Sequence, residues 1–382
     1  MRLKSGEIYL DYNATTPIDP KVRSAMLPFL EEEFGNASSS HLLGTLAHAA
    51  MDRARSQVAA LLRCSSDEII FTSGGSESNN LALKGMTERY AHQGRHIIVS
   101  AVEHPSIMNV AHWIEKQGFR LSLLPVDKQG VINPTDLNEI ITSKTVFVSV
   151  MHANNEVGSI QPVSELAEIC HDAGAALHVD AAQTVGKIPV QVDEMNCDLL
   201  TIAGHKMYGP KGIGALYVKQ GTKLSPQILG ASQESGLRAG TENIAFIAGL
   251  GKAAELAGSG LSHEMSQLES LRDDLQHRMK EAFPLLRINA AATARLPNTL
   301  SISFPDLLAL DIMEAMDDVL VSAGAACHSG DGKGSGVLEA MGVPLNYQLG
   351  TLRISLGRFT TEEQVERAIE NIIKAVKKVS NS

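Results

Sequence analysis

The segments His178-Val-Asp-Ala-Ala-Gln183 and Thr201-Ile-Ala-Gly-His-Lys-Met-Tyr-Gly-Pro210 decide the fold of this chain. In each segment a charged residue follows a short apolar run. This residue is Asp180 in the first segment and Lys206 in the second. In open α/β sheets, neighbouring strands bring such residues together at the edge where ligands bind. The two segments therefore predict adjacent strands of an α/β sheet, with Asp180 and Lys206 at one site.

This pair of charged residues has two interpretations. For an isolated aspartate and lysine, a buried ion pair is the commoner one. The alternative is a pyridoxal phosphate site, in which the lysine forms a Schiff base with the cofactor and the aspartate keeps the pyridine nitrogen protonated. The sequence around Asp180 and Lys206 favours the cofactor site.

The composition is that of a globular protein. The chain has 382 residues, of which 44% are hydrophobic and 20% are charged, enough for one large α/β domain and a smaller one. The formal charge of −10 leaves no basic stripe that would neutralise phosphates, which argues against nucleic acid as the main partner. We expect a small-molecule or protein partner instead.

The N-terminal ten residues lack the apolar core of a signal peptide, and no apolar run reaches the roughly 18 residues that a membrane helix needs. We therefore expect a cytoplasmic protein with no membrane partner. Four cysteines without a CxxC pair predict neither a disulfide framework nor a zinc site, so we expect no metal. They are Cys64, Cys170, Cys197 and Cys327. One of them is a candidate reactive thiol, while Cys170 belongs to a predicted helix face and is expected in the core.

Residues 68–219 alternate short β-branched runs with amphipathic helical stretches, which predicts a mostly parallel sheet covered on both faces. The predicted strands are 68–72, 96–101, 146–151, 176–179, 199–202 and 214–218. A long helical pattern begins after Ile244 and continues beyond Gly258 and Gly260. It predicts either one helix with a break or two helices. We predict a large domain at 15–257, and a smaller α+β domain at 1–14 and 258–382.

A glycine-rich turn leads from a predicted strand into a helix at Ser73-Gly-Gly-Ser76. Free backbone N–H groups and the helix dipole converge there, and Gly75 and Ser76 suit a phosphate group. Many such turns are simple tight turns, so this signal is only moderately specific. Neither a Walker loop nor a GxGxxG fingerprint is present, so the cofactor is not obviously a nucleotide.

Taken together, the chain resembles the class V, fold type I pyridoxal-phosphate enzymes, and within them the cysteine desulfurases with their close relative selenocysteine lyase. The resemblance runs through nearly the whole chain in family order. The matching runs are Leu10-Asp-Tyr-Asn-Ala-Thr-Thr-Pro17, Phe34-Gly-Asn36, Ser73-Gly-Gly-Ser-Glu-Ser-Asn-Asn80, Glu103-His104, His152-Ala-Asn-Asn-Glu-Val-Gly158, His178-Val-Asp-Ala-Ala-Gln183, Gly204-His-Lys206, Gly236-Leu-Arg-Ala-Gly-Thr-Glu-Asn243, Cys327 and Arg353-Ile-Ser-Leu-Gly-Arg358. It implies an α/β fold of type I, with pyridoxal 5'-phosphate as cofactor.

The resemblance also implies roles for single residues. Lys206 would bond the cofactor, Asp180 would pair with the pyridinium nitrogen, and His104 would stack on the ring and shuttle protons. The other cofactor contacts implied are Gly75, Ser76 and His205 at the phosphate, Asn154 and Gln183 at the ring hydroxyl, and Thr241 from the second subunit of a homodimer. Asn154 and Arg353 would bind the substrate carboxylate, whereas the rival Arg358 is interpreted as a structural ion-pair residue.

Cys327 lies in a run of small residues, Ser322 to Gly336, that cannot form a packed core element. The resemblance makes it the nucleophile: its thiolate would take sulfur from L-cysteine, leaving a persulfide and releasing L-alanine. The other three cysteines lie in or beside apolar elements, where packing is the default. A sulfur-acceptor protein is then expected, with iron–sulfur clusters or other thio-cofactors as the destination.

Three positions depart from the common desulfurase pattern. Ala203 replaces a serine that bonds the phosphate in many members, and Ala231-Ser232 interrupts a glycine run near the expected subunit contact. Ala325-Ala-Cys-His328 resembles selenocysteine lyase at least as well, so L-selenocysteine remains an alternative substrate. The chain ends soon after its last predicted helix, which leaves docking of an iron–sulfur scaffold open. A class V aminotransferase and a non-catalytic interaction protein are the remaining alternatives.

Overall fold

The computed structural model describes residues 6–324 and 334–381. The strands, in chain order, are β1 Ile8–Tyr9, β2 Ile69–Thr72, β3 His96–Ser100, β4 Arg120–Leu124, β5 Thr145–Met151, β6 Ala176–Asp180, β7 Leu199–Ala203, β8 Gly214–Val218, β9 Arg287–Ile288, β10 Thr299–Ser303, β11 Val319–Leu320, β12 Ser322–Ala323 and β13 Thr351–Ser355. The helices are α1 Pro20–Glu31, α2 Leu42–Leu62, α3 Gly75–Tyr90, α4 Pro105–Lys116, α5 Pro134–Ile140, α6 Val163–Asp172, α7 Val192–Met195, α8 Ile244–Ala282, α9 Ala309–Glu314, α10 Gly336–Ala340, α11 Leu345–Gln348 and α12 Glu362–Ser380.

The large sheet confirms the predicted α/β architecture. Within the described residues it has seven strands in the order β2-β8-β7-β6-β5-β3-β4, and β8 runs antiparallel to the other six. Strands β3, β5 and β7 are buried along their whole length. Burial on both faces explains why these strands are continuous apolar runs rather than alternating ones.

Helices cover both faces of this sheet. Alternate residues of β3 show the division, because Ile98 joins the core formed by α2, α6 and the first half of α8, whereas Ile97 and Val99 join the core formed by α3 and α4. The edge strand β4 was not predicted. It lies at the margin of the sheet and remains partly exposed, as its charged first residue Arg120 requires.

The rest of the chain forms a smaller module with its own core. Among the described residues its sheet has four antiparallel strands in the order β12-β13-β10-β9, and β1 pairs with β11 beside it. The module core contains Leu275 of α8, Ile302 of β10, Leu352 of β13 and Ile369 of α12, together with Ile8 from the start of the chain. The module is therefore of the predicted α+β type, and the exact domain boundaries stay predictions.

Helix α8 connects the two cores as one continuous element of 39 residues, so the alternative of two helices is wrong. Its first half packs with the large sheet through residues such as Leu250, and its second half packs in the small module through Leu275. Packing at both ends compensates for the low helix propensity of the glycines near its middle. Its length and hydropathy alone would also suit a membrane span, but half of that window is buried inside the protein, as in a core helix.

Candidate functional site

A cavity of about 270 Å³ lies at the carboxyl edge of the large sheet, where β2, β3, β5, β6 and β7 all end. Asp180 is the last residue of β6, and Lys206 ends the short 3₁₀ turn that follows β7. The cavity brings together most of the predicted site. The predicted residues that line it are Gly75, Ser76, His104, Asp180, Gln183, His205 and Lys206.

The carboxylate of Asp180 lies at one side of this cavity and is only 6% exposed. Asn79 Nδ2 donates to its Oδ2 at 2.9 Å, and the Ala182 N–H donates to its Oδ1 at 3.0 Å. Among the described residues no cationic side chain forms a salt bridge with it. A buried carboxylate without a cationic partner fits a protonated ring nitrogen of a bound cofactor.

The amine of Lys206 is held at the same cavity by backbone oxygens. Its Nζ donates to the carbonyl of Asn13, and to the carbonyl of Ala14 at 2.9 Å. Burial lowers the pKa of Lys206 to about 8, and the charge of Arg353 adds to the lowering, while Asp180 and Asp11 partly offset it. Near neutral pH the amine is therefore unprotonated much more often than that of an ordinary lysine, as covalent attachment of an aldehyde requires.

The imidazole of His104 also lines the cavity and caps the N-terminus of α4. Its Nδ1 accepts from the Ser106 N–H at 3.1 Å and lies 2.8 Å from the Ser106 hydroxyl. Burial lowers the pKa of His104, Asp180 opposes this, and Lys206 adds to the lowering. The neutral ring, with its hydrogen on Nε2, presents a flat face to a planar cofactor.

The N-terminus of α3 also lines the cavity, at Gly75 and Ser76. Gly74 has a φ of +144°, and the helix begins at Gly75, whose first-turn N–H groups have no acceptor within the helix. A Cβ on Gly75 would lie 3.4 Å from Cβ of Ala203, so a side chain there would narrow the cavity. This end suits the phosphate of pyridoxal phosphate.

His205 lies at the same end, with Nδ1 3.1 Å from the Thr15 hydroxyl. Burial lowers the pKa of His205 to about 4, and the charges of Lys206 and Lys211 add to the lowering. The ring is therefore neutral and contributes hydrogen bonding rather than charge to the phosphate end.

The amide of Gln183 reaches the cavity from a buried polar network. Its Nε2 donates to the carbonyl of Asn13 at 3.1 Å, and its Oε1 accepts from Lys187 Nζ at 2.8 Å. Lys187 Nζ also donates to Asn13 Oδ1 at 2.9 Å. The sequence did not single out Lys187, although its spacing of four residues from Gln183 is a signal for contact within one turn of chain.

The structure does not bring Asn154 to the cavity with the other predicted residues. Its Nδ2 donates to the Val102 carbonyl and to the sulfur of Met151, and its Oδ1 accepts from the N–H groups of Glu156 and Val157. The Asn154 amide is thus fully used in shaping its own loop. The next residue, Asn155, lines the cavity instead and is the better candidate for a cofactor or substrate contact.

The two arginines near the C-terminus have different surroundings. Arg353 Nη2 donates to Asp11 Oδ1 at 2.6 Å and Nη1 donates to the Asn155 carbonyl at 3.3 Å, while its buried Nε has no acceptor among the described residues. Arg358 instead pairs with Glu264 and Asp19. The expected structural role of Arg358 is confirmed, and Arg353 retains unused donors next to the cavity.

The structure does not add the last two predicted residues to this cavity. Thr241 is exposed and does not line the cavity within its own chain, and Cys327 lies outside the described residues. Of the other cysteines, Cys170 and Cys197 are buried and Cys64 is half-buried. Burial raises the pKa of each of these three thiols, to about 12 for Cys64 and Cys197, so they are not nucleophiles at neutral pH.

The residues present therefore fit pyridoxal phosphate. A helix N-terminus suited to an anion, a carboxylate, an amine of lowered pKa and a flat imidazole all line one cavity. Each is the donor or acceptor that one part of this cofactor requires.

Sequence reasoning missed Asn79, which donates to Asp180, because no sequence pattern distinguishes this asparagine from others.

Comparisons with known proteins agree with this geometry. The family model for aminotransferase class-V matches residues 8–368. The chain is 44% identical to cysteine desulfurase IscS of Dictyoglomus turgidum, over 98% of this chain and 95% of that protein.

Solved structures give the same result. A NifS-like protein superposes with a TM-score of 0.92 at 35% identity, covering 97% of this chain and 100% of that one. SspA in complex with cysteine superposes with a TM-score of 0.82 at 33% identity, covering 93% and 100%. The chain therefore belongs to the aminotransferase class-V family and, within it, to the cysteine desulfurases.

Proposed function

We propose that this protein is a pyridoxal-phosphate-dependent cysteine desulfurase that converts L-cysteine to L-alanine and holds the released sulfur as a persulfide on Cys327. The observation that carries the proposal is the cavity that joins Asp180, Lys206 and His104 to the N-terminus of α3. The family relationship supports the same activity, since the similar proteins are named cysteine desulfurases.

The cofactor would be held at three points. Gly75, Ser76 and His205 would bind its phosphate, Asp180 would bind its ring nitrogen, and Gln183 would donate to its phenolic oxygen. When bound, pyridoxal phosphate withdraws electrons from the α-carbon of an attached amino acid. A stacked His104 would keep water from one face of the ring.

The substrate would be oriented by its carboxylate. Arg353 donates to the carbonyl of Asn155, a residue that lines the cavity. It also retains unused N–H donors, as binding of a carboxylate requires. Lys206 Nζ, with a pKa of about 8, can accept the proton from the substrate α-carbon and return a proton to the product. The Asn13 and Ala14 carbonyls would stabilise Nζ in its protonated state.

The sulfur step requires a thiolate, and the three described cysteines have raised pKa values that exclude them. Cys327 is the remaining thiol in the sequence. Attack by its Sγ on the substrate sulfur forms the S–S bond as the substrate C–S bond breaks. The carbon fragment gains a proton and leaves as alanine, so atoms and electrons balance without a further oxidant.

The test is to incubate the purified holoenzyme with L-cysteine and, in parallel, with L-selenocysteine, and to measure alanine together with sulfide or selenide. We expect alanine from L-cysteine in amounts equal to the sulfur released. Cys327→Ala should abolish persulfide formation, whereas the matched control Cys64→Ser should retain it. Full activity in Cys327→Ala would contradict the proposal, as would pyruvate formation from alanine and a keto acid.

We further propose a homodimer in which Thr241 completes the phosphate site of the partner chain. Thr241 is exposed and lies outside its own cavity, and large apolar side chains at the α1–α2 connection are also exposed, with Phe34 74% and Leu42 73% exposed. Co-expression of Lys206→Ala and Thr241→Ala chains tests this. A heterodimer with one intact site should regain activity that neither variant has alone, and additive loss would contradict the shared site.

The cellular setting is also a proposal. Free Cys170 and Cys197 in the interior support a reducing compartment such as the cytoplasm, where an acceptor protein would take the persulfide sulfur to iron–sulfur clusters or other thio-cofactors. The net charge of −10 supports a partner other than nucleic acid. Cell fractionation, and capture of ³⁵S from labelled cysteine on candidate acceptors, would test both points.

A further inference from the structure

Lys187 is a buried lysine next to the cavity whose contacts are amides rather than carboxylates. It is 8% exposed, and its Nζ donates to Gln183 Oε1 at 2.8 Å and to Asn13 Oδ1 at 2.9 Å. Among the described residues it forms no salt bridge. A long cationic side chain placed in the interior without a counter-charge is costly, so the position calls for a specific role.

Two contacts determine which way the Gln183 amide points. Lys187 Nζ donates to its oxygen, and its nitrogen faces the Asn13 carbonyl, which can only accept. The nitrogen of the amide is thereby directed to the other side. One hydrogen of Gln183 Nε2 goes to the Asn13 carbonyl at 3.1 Å, and the second has no acceptor among the described residues. Gln183 lines the cavity, which is the direction left for that second hydrogen.

We propose that Lys187 is a positioning residue that holds the Gln183 amide with its N–H donor directed at the phenolic oxygen of bound pyridoxal phosphate. The proposal rests on the cofactor assigned under the proposed function. Without Lys187, the Gln183 oxygen would lose its donor, and the Asn13 carbonyl would be the one contact among the described residues that still orients the amide. The amide would then turn more readily, which weakens the donor at the phenolic oxygen.

The surroundings of Lys187 also act on its charge. Burial holds its pKa well below its usual range, and the charges of Lys206 and Arg353 add to this, while Glu264 opposes it. In either charge state the amine has the two hydrogens that its two amide oxygens accept.

The experiment measures the pH midpoint of the visible absorption band of the bound cofactor in a double-mutant cycle. A donor to the phenolic oxygen stabilises the ionised form of that oxygen. The negatively charged oxygen then attracts the proton beside it less strongly, so this proton is lost at a lower pH. Loss of the donor therefore raises the pH midpoint of the absorption band. We expect Lys187→Met and Gln183→Leu each to raise it by about 0.7 pH unit, the size of one net hydrogen bond. In the Lys187→Met/Gln183→Leu double variant we expect no further shift beyond Gln183→Leu alone.

Lys219→Met is the matched control, because Lys219 also donates to an amide oxygen, Asn196 Oδ1, but follows β8 at the opposite edge of the sheet. It should leave the midpoint unchanged. If Lys187→Met does not fold, Lys187→Gln replaces it, since a side chain one bond shorter cannot maintain the 2.8 Å contact and should give the same shift.

Two results would overturn the positioning role. One is an equal extra shift from Lys187→Met in the Gln183→Leu background, which would mean that Lys187 acts by another route. The other is a lowered melting temperature of the apoprotein with an unchanged midpoint, which indicates structural support only. If the wild-type protein showed no visible band at all, the proposed cofactor would fail as well, so the two failures are distinguishable.

Discussion

The pKa of Lys206 should control how fast the apoprotein attaches its cofactor. Only the unprotonated amine reacts with an aldehyde, and burial together with Arg353 lowers the pKa of Lys206 from 10.5 to about 8. At pH 7 the reactive fraction is then about 10%, against roughly 0.03% for an unperturbed lysine, a difference of about 300-fold. The attachment rate should rise about tenfold per pH unit up to pH 8 and level off above it.

Substitution of Arg353 tests the cause of this shift. Arg353→Met removes a cation that lowers the pKa of Lys206 and leaves Asp11, which raises it, without its partner. The midpoint should move up by about 0.5 to 1 pH unit, slowing attachment at pH 7 by about three- to tenfold with little change above pH 10.

Stopped-flow absorbance at saturating pyridoxal phosphate measures the rate from pH 6 to pH 10. Lys206→Ala supplies the baseline, and Arg120→Met, on the exposed edge strand β4, serves as the matched control. A rate that climbs steadily through pH 9 would refute the lowered pKa of Lys206. An unchanged break point in Arg353→Met would refute the assigned electrostatic cause.

Three further changes follow from individual contacts. Ala203→Ser adds a hydroxyl at the phosphate end beside Gly75, so the dissociation constant of pyridoxal phosphate should fall about fivefold in equilibrium dialysis, and unchanged binding would contradict this. Asn79→Leu removes a donor to the buried site carboxylate and should weaken cofactor binding about tenfold in the same assay. Glu234→Gln removes the charge from a buried, two-bond pair with Arg55 and should lower the melting temperature by about 5 °C, whereas Lys252→Met at a more exposed pair should change it by less than about 1 °C.

The central strands of the large sheet were predictable because burial on both faces leaves an apolar run that no helix face or loop reproduces. Strand β5, Thr145–Met151, is of this kind, and its predicted start differs by one residue. Edge strand β4 carries no such run, since Arg120 begins it and both Arg120 and Leu123 are exposed. What makes β4 a strand is its pairing with β3, which is a tertiary contact and not a local pattern.

In the site, too, local sequence patterns predict some residues and not others. Asp180 and Lys206 were predictable because each follows an apolar run at the ligand-binding edge, Asp180 as the last residue of β6 and Lys206 three residues after β7. Asn154 and Asn155 are consecutive, and no pattern in the sequence tells which of the two faces the cavity. The backbone N–H groups of the following turn capture the Asn154 oxygen, which leaves Asn155 at the cavity wall.

Asn13 explains why the small module matters to chemistry at the edge of the large sheet. Its backbone N–H donates to the Ser355 hydroxyl at the end of β13, and its Nδ2 donates to the Thr299 hydroxyl at the start of β10. Its carbonyl oxygen accepts from Lys206 Nζ. Strand β13 also carries Arg353. Any movement of the small sheet therefore displaces two groups at once, the candidate carboxylate clamp Arg353 and the Asn13 carbonyl oxygen that accepts from Lys206. Substrate orientation and the position of the reactive amine are thus coupled through one buried asparagine.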